Sequence, residues 1–277
     1  MGAYWALFTA LADGLVDFEA GNESRTHSAL LVSWLIALGT ILFLLVAFAS
    51  RGSMAIDTAA MSYGIPIGAL LAIANLLYFR ALSIGPMGII SALGGTAVSV
   101  PVAYCTLIGK APSIINTLGI IAIFAGVSLI VSGSNQSPAR SAIHGSSELM
   151  AMLAAVMFGT SDVIFKIGSS HDPIILLIAI QAVELITYTL IILLKRVSFH
   201  VSRKFIVVST CLGFANAAGW LCFSYAAQGG QIDIASALAY CSPLFTLLLA
   251  HIFIKECLSR KEVMSFAAVI LGAVMLA

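Results

Sequence analysis

Two segments decide the fold: SALGGTAVSVP at residues 91–101 and SALAYCSPLF at residues 236–245. Both begin with Ser-Ala-Leu, and Ser236 follows Ser91 by 145 residues, a little over half of the 277-residue chain. The sequence therefore predicts a tandem duplication. The same offset relates two further pairs, Gly14 with Gly159 and Asp17 with Asp162.

The composition indicates an integral membrane protein. Hydrophobic residues make up 61% of the chain, charged residues make up 9%, and the mean hydropathy is +1.08. So few polar side chains cannot cover the surface of a soluble globule. A helix that crosses about 30 Å of hydrocarbon needs about 20 mostly apolar residues. Ten such spans are predicted: Tyr4–Ala20, Ala29–Ala49, Thr58–Ile84, Met87–Ile108, Ile114–Val131, Glu148–Gly168, Pro173–Leu194, Phe205–Gln228, Ile232–Ile254 and Val263–Ala277.

A polar linker at 133–147 separates five predicted spans from the next five. The first repeat is placed at 1–132 and the second at 148–277. Because five is an odd number, the second repeat enters the membrane upside down relative to the first. The predicted fold class is therefore an all-α integral membrane protein of ten transmembrane helices, arranged as two inverted five-helix repeats.

Short motifs stand at the predicted turns and helix starts. They are A-L-S-I-G-P at 81–86, K-A-P-S at 110–113, G-T-S-D at 159–162 with Lys166, S-P at 242–243 and K-E-C-L-S at 255–259. They are similar to the A-L-x-x-G-P turn, the G-E-x-L-S connector, the S-P element and the G-x-N-x-x-x-x-K start of the drug/metabolite transporter superfamily. The chain thus resembles the EamA-like ten-helix transporters, although Lys110 replaces the usual glutamate and Asp162 stands where asparagine is commoner.

This resemblance implies a secondary carrier, not an enzyme, which works by alternating access in a cell membrane. Its expected partners are the lipid bilayer, a small-molecule substrate and protons, and an oligomer is not implied. The substrate expected from the resemblance is an amino acid or related solute, or a drug. The cavity would lie between the repeats, lined by helices one, three, four, six, eight and nine.

Carboxylates inside the predicted spans mark candidate cavity positions. A charged side chain at the centre of a membrane helix costs about 2.5–3.5 kcal/mol on insertion scales, so it should face water or a partner. Asp13 and Asp17 lie four residues apart, on one face of the first helix, unless each is simply hydrated near a headgroup region. Proton or ion coupling is predicted for Asp17, Asp162 and Glu184, with Asp13 as a weaker candidate.

Glu184 lies near the middle of the seventh predicted span. It either pairs with a buried donor such as Lys166 or relays protons. Lys166 matches the family lysine and is a weaker site candidate, because long cationic side chains near helix ends usually extend to the membrane interface.

Polar and aromatic side chains in the third, fourth, eighth and ninth spans are candidates for contact with a substrate. Amides in membrane helices commonly join neighbouring helices by hydrogen bonds, and small residues permit close helix crossing. Pro101 and Pro243 are predicted to kink their helices and to free carbonyl groups for the cavity. The predicted substrate-binding residues are Asn75, Ser91, Asn216, Trp220, Ser236 and Tyr240.

Several classes of function lack their sequence signatures. The five cysteines form no C-x-x-C motif, which predicts free thiols, no metal and no cofactor. Neither a P-loop nor a G-x-S-x-G motif is present, so an ATP-driven pump within this chain is excluded. A net charge of +1 gives no nucleic-acid footprint.

Two other classes stay open, and the orientation is ambiguous. A cation or metal permease or channel is the alternative that the carboxylates alone permit, and a membrane-embedded lipid-modifying enzyme would instead need clustered catalytic residues near one interface. Lys and Arg in the predicted loops divide three against ten, so the positive-inside rule places both termini outside. The family resemblance places both termini inside.

Overall fold

A computed structural model describes residues 2–52, 55–110, 112–132, 141–198, 201–229 and 232–254, together with 264, 267, 268, 271, 272 and 275. The regular elements in these residues are helices. A 3-10 turn, Thr96–Val98, joins α4 to α5, and a π-helical turn, Ala250–Ile254, follows α11. The helices are α1 Gly2–Thr26, α2 Ala29–Ser50, α3 Thr58–Ile84, α4 Met87–Gly95, α5 Ser99–Leu107, α6 Ile114–Ser132, α7 Ser141–Gly168, α8 Pro173–Lys195, α9 Arg203–Gly229, α10 Ile232–Ala239 and α11 Ser242–Leu249.

Seven segments of the described chain are long and apolar enough to cross a membrane, and a shorter apolar helix spans Ile114–Gly126. α1 is not among the seven, because its acidic residues lower its hydropathy. Most of the predicted tenth span, Val263–Ala277, lies outside the described residues, as do the 255–259 connector and Cys257. The seven segments are Ala29–Ser50, Thr58–Ile84, Ile89–Leu107, Ser146–Gly168, Pro173–Lys195, Arg203–Gly229 and Ile232–Phe253.

Two helices are longer than their apolar runs. α1 continues six residues beyond the predicted end at Ala20, to Thr26. α7 begins at Ser141, so the last seven residues of the predicted linker are helical. Helical hydrogen bonds form equally well outside hydrocarbon, so a hydropathy pattern marks the membrane thickness and not the end of the helix.

The predicted fourth and ninth helices are each interrupted. Proline has no N–H to offer the carbonyl four residues earlier, which is Ala97 for Pro101 and Ala239 for Pro243. The interruptions lie at these places: Ala97 is in the 3-10 turn between α4 and α5, and Ala239 is the last residue of α10. Each of these two spans therefore contains a short segment that is not α-helical near its proline, and each still counts as one apolar segment long enough to cross a membrane.

Close helix contacts hold the bundle together. α3 packs along α7 and α8, α1 packs along α9, α10 and α11, and α2 contacts α8 and α9. At the contact between α1 and α11, a methyl group added to Gly14 would lie only 2.9 Å from the Ser242 carbonyl oxygen. A methyl group on Gly159 would overlap the carbonyl oxygen of Ala97. Glycine allows such backbone contact, which stabilises helix pairs in membranes by van der Waals packing.

One end of the bundle carries a cluster of helix caps, which we call the capping cluster: Arg51, Asp57, His171 and Asp172. Asp57 caps α3 by accepting a 3.0 Å hydrogen bond from the Ala60 amide, and it also accepts one of 3.2 Å from the Asp172 amide. Asp172 caps α8 and pairs with Arg51. His171 Nδ1 lies 3.3 Å from the Asp57 carboxylate. The cluster therefore joins the α2–α3 loop to the α7–α8 loop.

Candidate functional site

A cavity of about 120 Å³ lies between helices of both halves of the chain. A water molecule needs about 10–15 Å³ of such space, so the cavity has room for on the order of ten water molecules or for a small solute. Its polar lining residues are Thr9, Asp13, Asp17, Ser33, Asn75, Tyr78, Asp162, Glu184, Tyr188, Asn216, Trp220, Tyr240 and Ser242.

α1 brings two carboxylates to the cavity. Asp13 and Asp17 are one turn apart and lie on the same face of the helix, whereas Glu19 does not line the cavity. The Tyr78 hydroxyl donates a 2.9 Å hydrogen bond to Asp17. For Asp13, the described part of the chain supplies no hydrogen bond. Its charge interacts with those of Asp17 and Asp162, so the three aspartates form one electrostatic group.

Asp162 on α7 is buried and lines the same cavity. The Ser236 hydroxyl of α10 donates a 2.7 Å hydrogen bond to its carboxylate, and the Tyr240 hydroxyl also faces it. Ser236 has no exposed surface and stands behind Asp162. Each of the two related aspartates, Asp17 and Asp162, is thus held by a hydroxyl group from its own half of the chain.

Glu184 on α8 is buried and accepts a 3.0 Å hydrogen bond from the Asn75 amide of α3. Glu184 thus pairs with a donor from a neighbouring helix, as one of the two alternatives held, but the suggested donor Lys166 is wrong, because Lys166 donates to the Ala227 carbonyl near the end of α9. Lys166 does not line the cavity. A short amide from the adjacent helix reaches the carboxylate, whereas the lysine lies close to the end of α7.

The α9 face presents an amide and an aromatic ring to the cavity. Asn216 donates a 3.0 Å hydrogen bond to the Thr40 hydroxyl of α2. Trp220, one turn further on, packs against Phe165 and Phe223, with ring centroids at 5.6 Å and 5.9 Å. Packing on two sides orients the Trp220 ring along the cavity wall.

Two predicted substrate-binding residues lie outside the lining. Ser91 and Ser236 are both buried, and neither belongs to the cavity surface. Ser236 reaches the site only through Asp162, whereas the Ser91 hydroxyl faces Tyr78 but makes no hydrogen bond of normal geometry among the described residues.

Several lining residues were not predicted from the sequence. Tyr188 lies four residues after Glu184, Tyr78 three residues after Asn75, and Thr9 four residues before Asp13. Positions three or four apart share a helix face, so this spacing alone identifies all three. Ser33 carries no such signal, because no predicted site residue lies on α2.

The chemistry of the lining is acidic. Four carboxylates face the cavity, and among the described residues no Lys or Arg does. No group of three or more His, Cys, Asp or Glu side chains in the described chain is arranged to hold a metal ion. Four of the five cysteines, Cys105, Cys211, Cys222 and Cys241, are free thiols. The cavity can therefore accept hydrogen-bond donors, protons or a cationic group.

The fold and the cavity together define a multi-pass helical membrane protein with an internal polar site. Comparison with known proteins narrows this class: the model of the EamA-like transporter family matches residues 145–277. The resemblance to the drug/metabolite transporter superfamily is thereby confirmed, because the second half of the chain is similar to the EamA-like transporters.

Two further similarities were found. An uncharacterized protein of Methanocaldococcus jannaschii is 23% identical over 128 residues, which are 46% of this chain and 93% of that protein. A solved crystal structure of a protein aligns with a TM-score of 0.78 at 16% identity, covering 99% of this chain and 94% of the other. At that identity the structural likeness shows the fold alone.

Proposed function

We propose that the protein is a secondary carrier that moves a small metabolite across a cell membrane, the plasma or inner membrane, by alternating access. The substrate class expected from the family is an amino acid or related solute, or a drug. One observation carries the proposal: both halves of the chain contribute carboxylates to one small cavity between membrane helices. Burying acidic groups there is costly, and a binding site for a polar solute accounts for that cost.

The proposed architecture is ten helices in two inverted repeats, 1–132 and 148–277, joined by a linker at 133–147. The packing supports it: the contact of α1 with α9 has a counterpart in that of α7 with α3. The contact of α2 with α9 likewise corresponds to that of α8 with α3. The archaeal relative is about half as long as this chain, as a protein of one repeat would be.

Equivalent backbone contacts give independent support for the repeats. Gly14 lies against Ser242 and Gly159 lies against Ala97. Adding 145 to the numbers of Gly14 and Ala97 gives Gly159 and Ser242, so one contact maps onto the other. A two-fold relation between the halves reproduces such a contact without further assumptions.

In this proposal Asn75, Asn216, Trp220 and Tyr240 contact the substrate, since all four line the cavity. Ser236 positions Asp162 and does not touch the substrate. Asp17, Asp162 and Glu184 couple transport to protons, because carboxylates facing a cavity can take up and release protons as the cavity opens to either side.

Labelling of single cysteines tests alternating access. All native cysteines are first replaced, and one cysteine is introduced at Thr9 or Ser242, on the cavity wall. A membrane-impermeant maleimide should modify each position from both sides of sealed, oriented vesicles. Labelling from one side only, under every condition and with every solute, would contradict alternating access.

Transport by proteoliposomes tests the coupling. Pooled metabolites are offered with and without an imposed proton gradient, and solute uptake is measured by mass spectrometry. Uptake should depend on the gradient in the wild type and lose that dependence in Asp17→Asn and Asp162→Asn. Uptake unchanged after the gradient is collapsed would remove proton coupling from the proposal and leave the carrier function.

The positions of the acidic residues do not favour a membrane-embedded enzyme that modifies lipids. Chemistry on a lipid headgroup requires a catalytic set near one membrane interface, whereas the carboxylates here come from α1, α7 and α8 and face one internal cavity.

A further inference from the structure

We propose that the cavity selects organic cations, and that the ammonium group of the substrate lies among Asp13, Asp17 and Asp162. This inference rests on the proposed carrier function and names the substrate class for the same cavity.

The charge of the cavity lining determines which sign of charge the substrate carries. Four carboxylates face the cavity, and the described residues place no cationic side chain among them. Arg80 is exposed, Arg51 pairs with Asp172 in the capping cluster, and Lys166 contacts the Ala227 carbonyl. An anionic substrate would add to the repulsion among the three aspartates, whereas a cation reduces it.

Aromatic rings surround the acidic group. Tyr78, Phe158, Trp220 and Tyr240 line the cavity together with the aspartates. Phe158 packs edge-on against Tyr78, with ring centroids 5.6 Å apart, so these two rings form a continuous surface. Aromatic faces attract ammonium groups, above all quaternary ones, and the attraction grows where water is excluded. Carboxylates and aromatic faces together therefore suit an alkylated amine better than a bare inorganic ion.

A second observation is independent of the aspartates. Ser33 and Tyr188 line the cavity, and the Tyr188 hydroxyl faces Ser33 and Asn75, yet neither hydroxyl makes a hydrogen bond of normal geometry among the described residues. Ser33 is 3% exposed and Tyr188 is 1% exposed, so water from outside the cavity does not reach them. A buried hydroxyl group without a well-formed hydrogen bond is unfavourable. A hydroxyl or amine group of a bound solute would form hydrogen bonds with the hydroxyl groups of Ser33 and Tyr188.

These two regions set the outline of the substrate. Tyr188 lies one turn from Glu184 on α8, whereas Asp13 interacts electrostatically with Asp17 and Asp162. The substrate therefore carries both a cationic group and a hydrogen-bonding group, in a molecule small enough for a cavity of about 120 Å³.

Fluorescence of Trp220 measures binding directly. The chain has three tryptophans, so Trp5→Phe with Trp34→Phe leaves Trp220 as the only one. Choline and benzyltrimethylammonium serve as cationic probes, and 3,3-dimethylbutan-1-ol is the uncharged isostere of choline. Choline should bind at least about tenfold more tightly than the isostere.

Charge-removing variants locate the cation. Asp17→Asn and Asp162→Asn should each weaken choline binding about tenfold or more and leave binding of the neutral isostere unchanged. Glu148→Gln is the matched control, because it removes one negative charge from α7 outside the cavity. Asp162→Glu keeps the charge and should retain most of the affinity. Gel filtration and thermal melting of each variant establish that it is folded.

The results separate this inference from the carrier function. Equal affinity for choline and its isostere, or folded Asp→Asn variants that bind choline normally, would overturn the cation assignment even if the protein transports another solute. If choline binds as expected but labelled choline does not cross proteoliposome membranes in either direction, the cation site stands and the proposed carrier function fails.

Discussion

The Asn75 amide of α3 donates a 3.0 Å hydrogen bond to the Glu184 carboxylate of α8. This contact lies in the cavity and crosses from the first half of the chain to the second. Both residues are therefore shared between the binding site and the packing of the two halves. Substituting either one therefore changes the stability of the fold and the lining of the cavity together.

Asn75→Leu should destabilise the protein by about 1–3 kcal/mol, because Glu184 remains buried and keeps only the Gln181 side chain as a hydrogen-bond partner. Thermal unfolding in detergent measures the loss. Asn116→Leu, on α6 away from the cavity, is the control and should melt close to the wild type. The double variant Asn75→Leu/Glu184→Leu should recover part of the stability, since no buried carboxylate remains. A single variant as stable as the wild type would show that the hydrogen bond contributes little.

Gly39→Ala should destabilise the contact between α2 and α9. A methyl group at this position would overlap the carbonyl oxygen of Thr210, so the two helices would have to separate. Overpacking of this kind typically costs about 1–3 kcal/mol. Gly229→Ala is the matched control, because nothing lies within 4 Å of the added methyl group. If both variants melt at the same temperature, the close contact is not a determinant of stability.

Lys166→Met should lower the melting temperature but leave the affinity of the cavity for choline unchanged. The lysine ties α7 to the Ala227 carbonyl of α9 and does not line the cavity. Stability and Trp220 fluorescence are to be measured on the same preparation. A severalfold change in affinity with an unchanged melting temperature would show that Lys166 takes part in binding and does not act through stability.

Asp57 gives the capping cluster a defined pH dependence. Hydrogen bonds from the backbone amides of Ala60 and Asp172 hold the pKa of Asp57 below its usual value. The folded state therefore favours the ionised form, and this stabilisation is present above about pH 4 and is lost as the pH falls through the lowered pKa.

Asp57→Asn tests that dependence, because asparagine still caps a helix but carries no charge. The melting temperature of the wild type should exceed that of the variant at pH 7, and the difference should shrink between about pH 4 and pH 3. A difference that stays constant over this range would show that the charge of Asp57 does not stabilise the fold.

The boundaries of helices that have a capping residue or a Gly-Pro pair at their ends could be predicted accurately from the sequence. α3 is predicted and found at Thr58–Ile84, because Asp57 caps its start and Gly85-Pro86 ends it. α8 begins at Pro173, where Asp172 supplies the cap. Local chemistry fixes both boundaries, so no knowledge of neighbouring helices is needed.

The site could be predicted only in part, because helix faces follow from spacing but helix neighbours do not. The common face of Asp13 and Asp17 follows from their separation by four residues. Nothing local indicates that Asn75, and not Lys166, would reach Glu184, because that contact depends on how α3 packs against α8. The side chain of Ser33 was missed for the same reason.

The interruptions at Ala97 and Ala239 limit how the two interrupted helices can rotate about their own axes. A regular helix satisfies its own backbone and can present any side to lipid, but a carbonyl without a helical donor costs several kcal/mol in hydrocarbon. The Ala97 carbonyl faces Gly159 of α7, and Ala239 lies on the cavity wall. Rotation of either helix would turn its unpaired carbonyl group toward the lipid. The backbone itself therefore determines which side of each helix faces the interior of the protein.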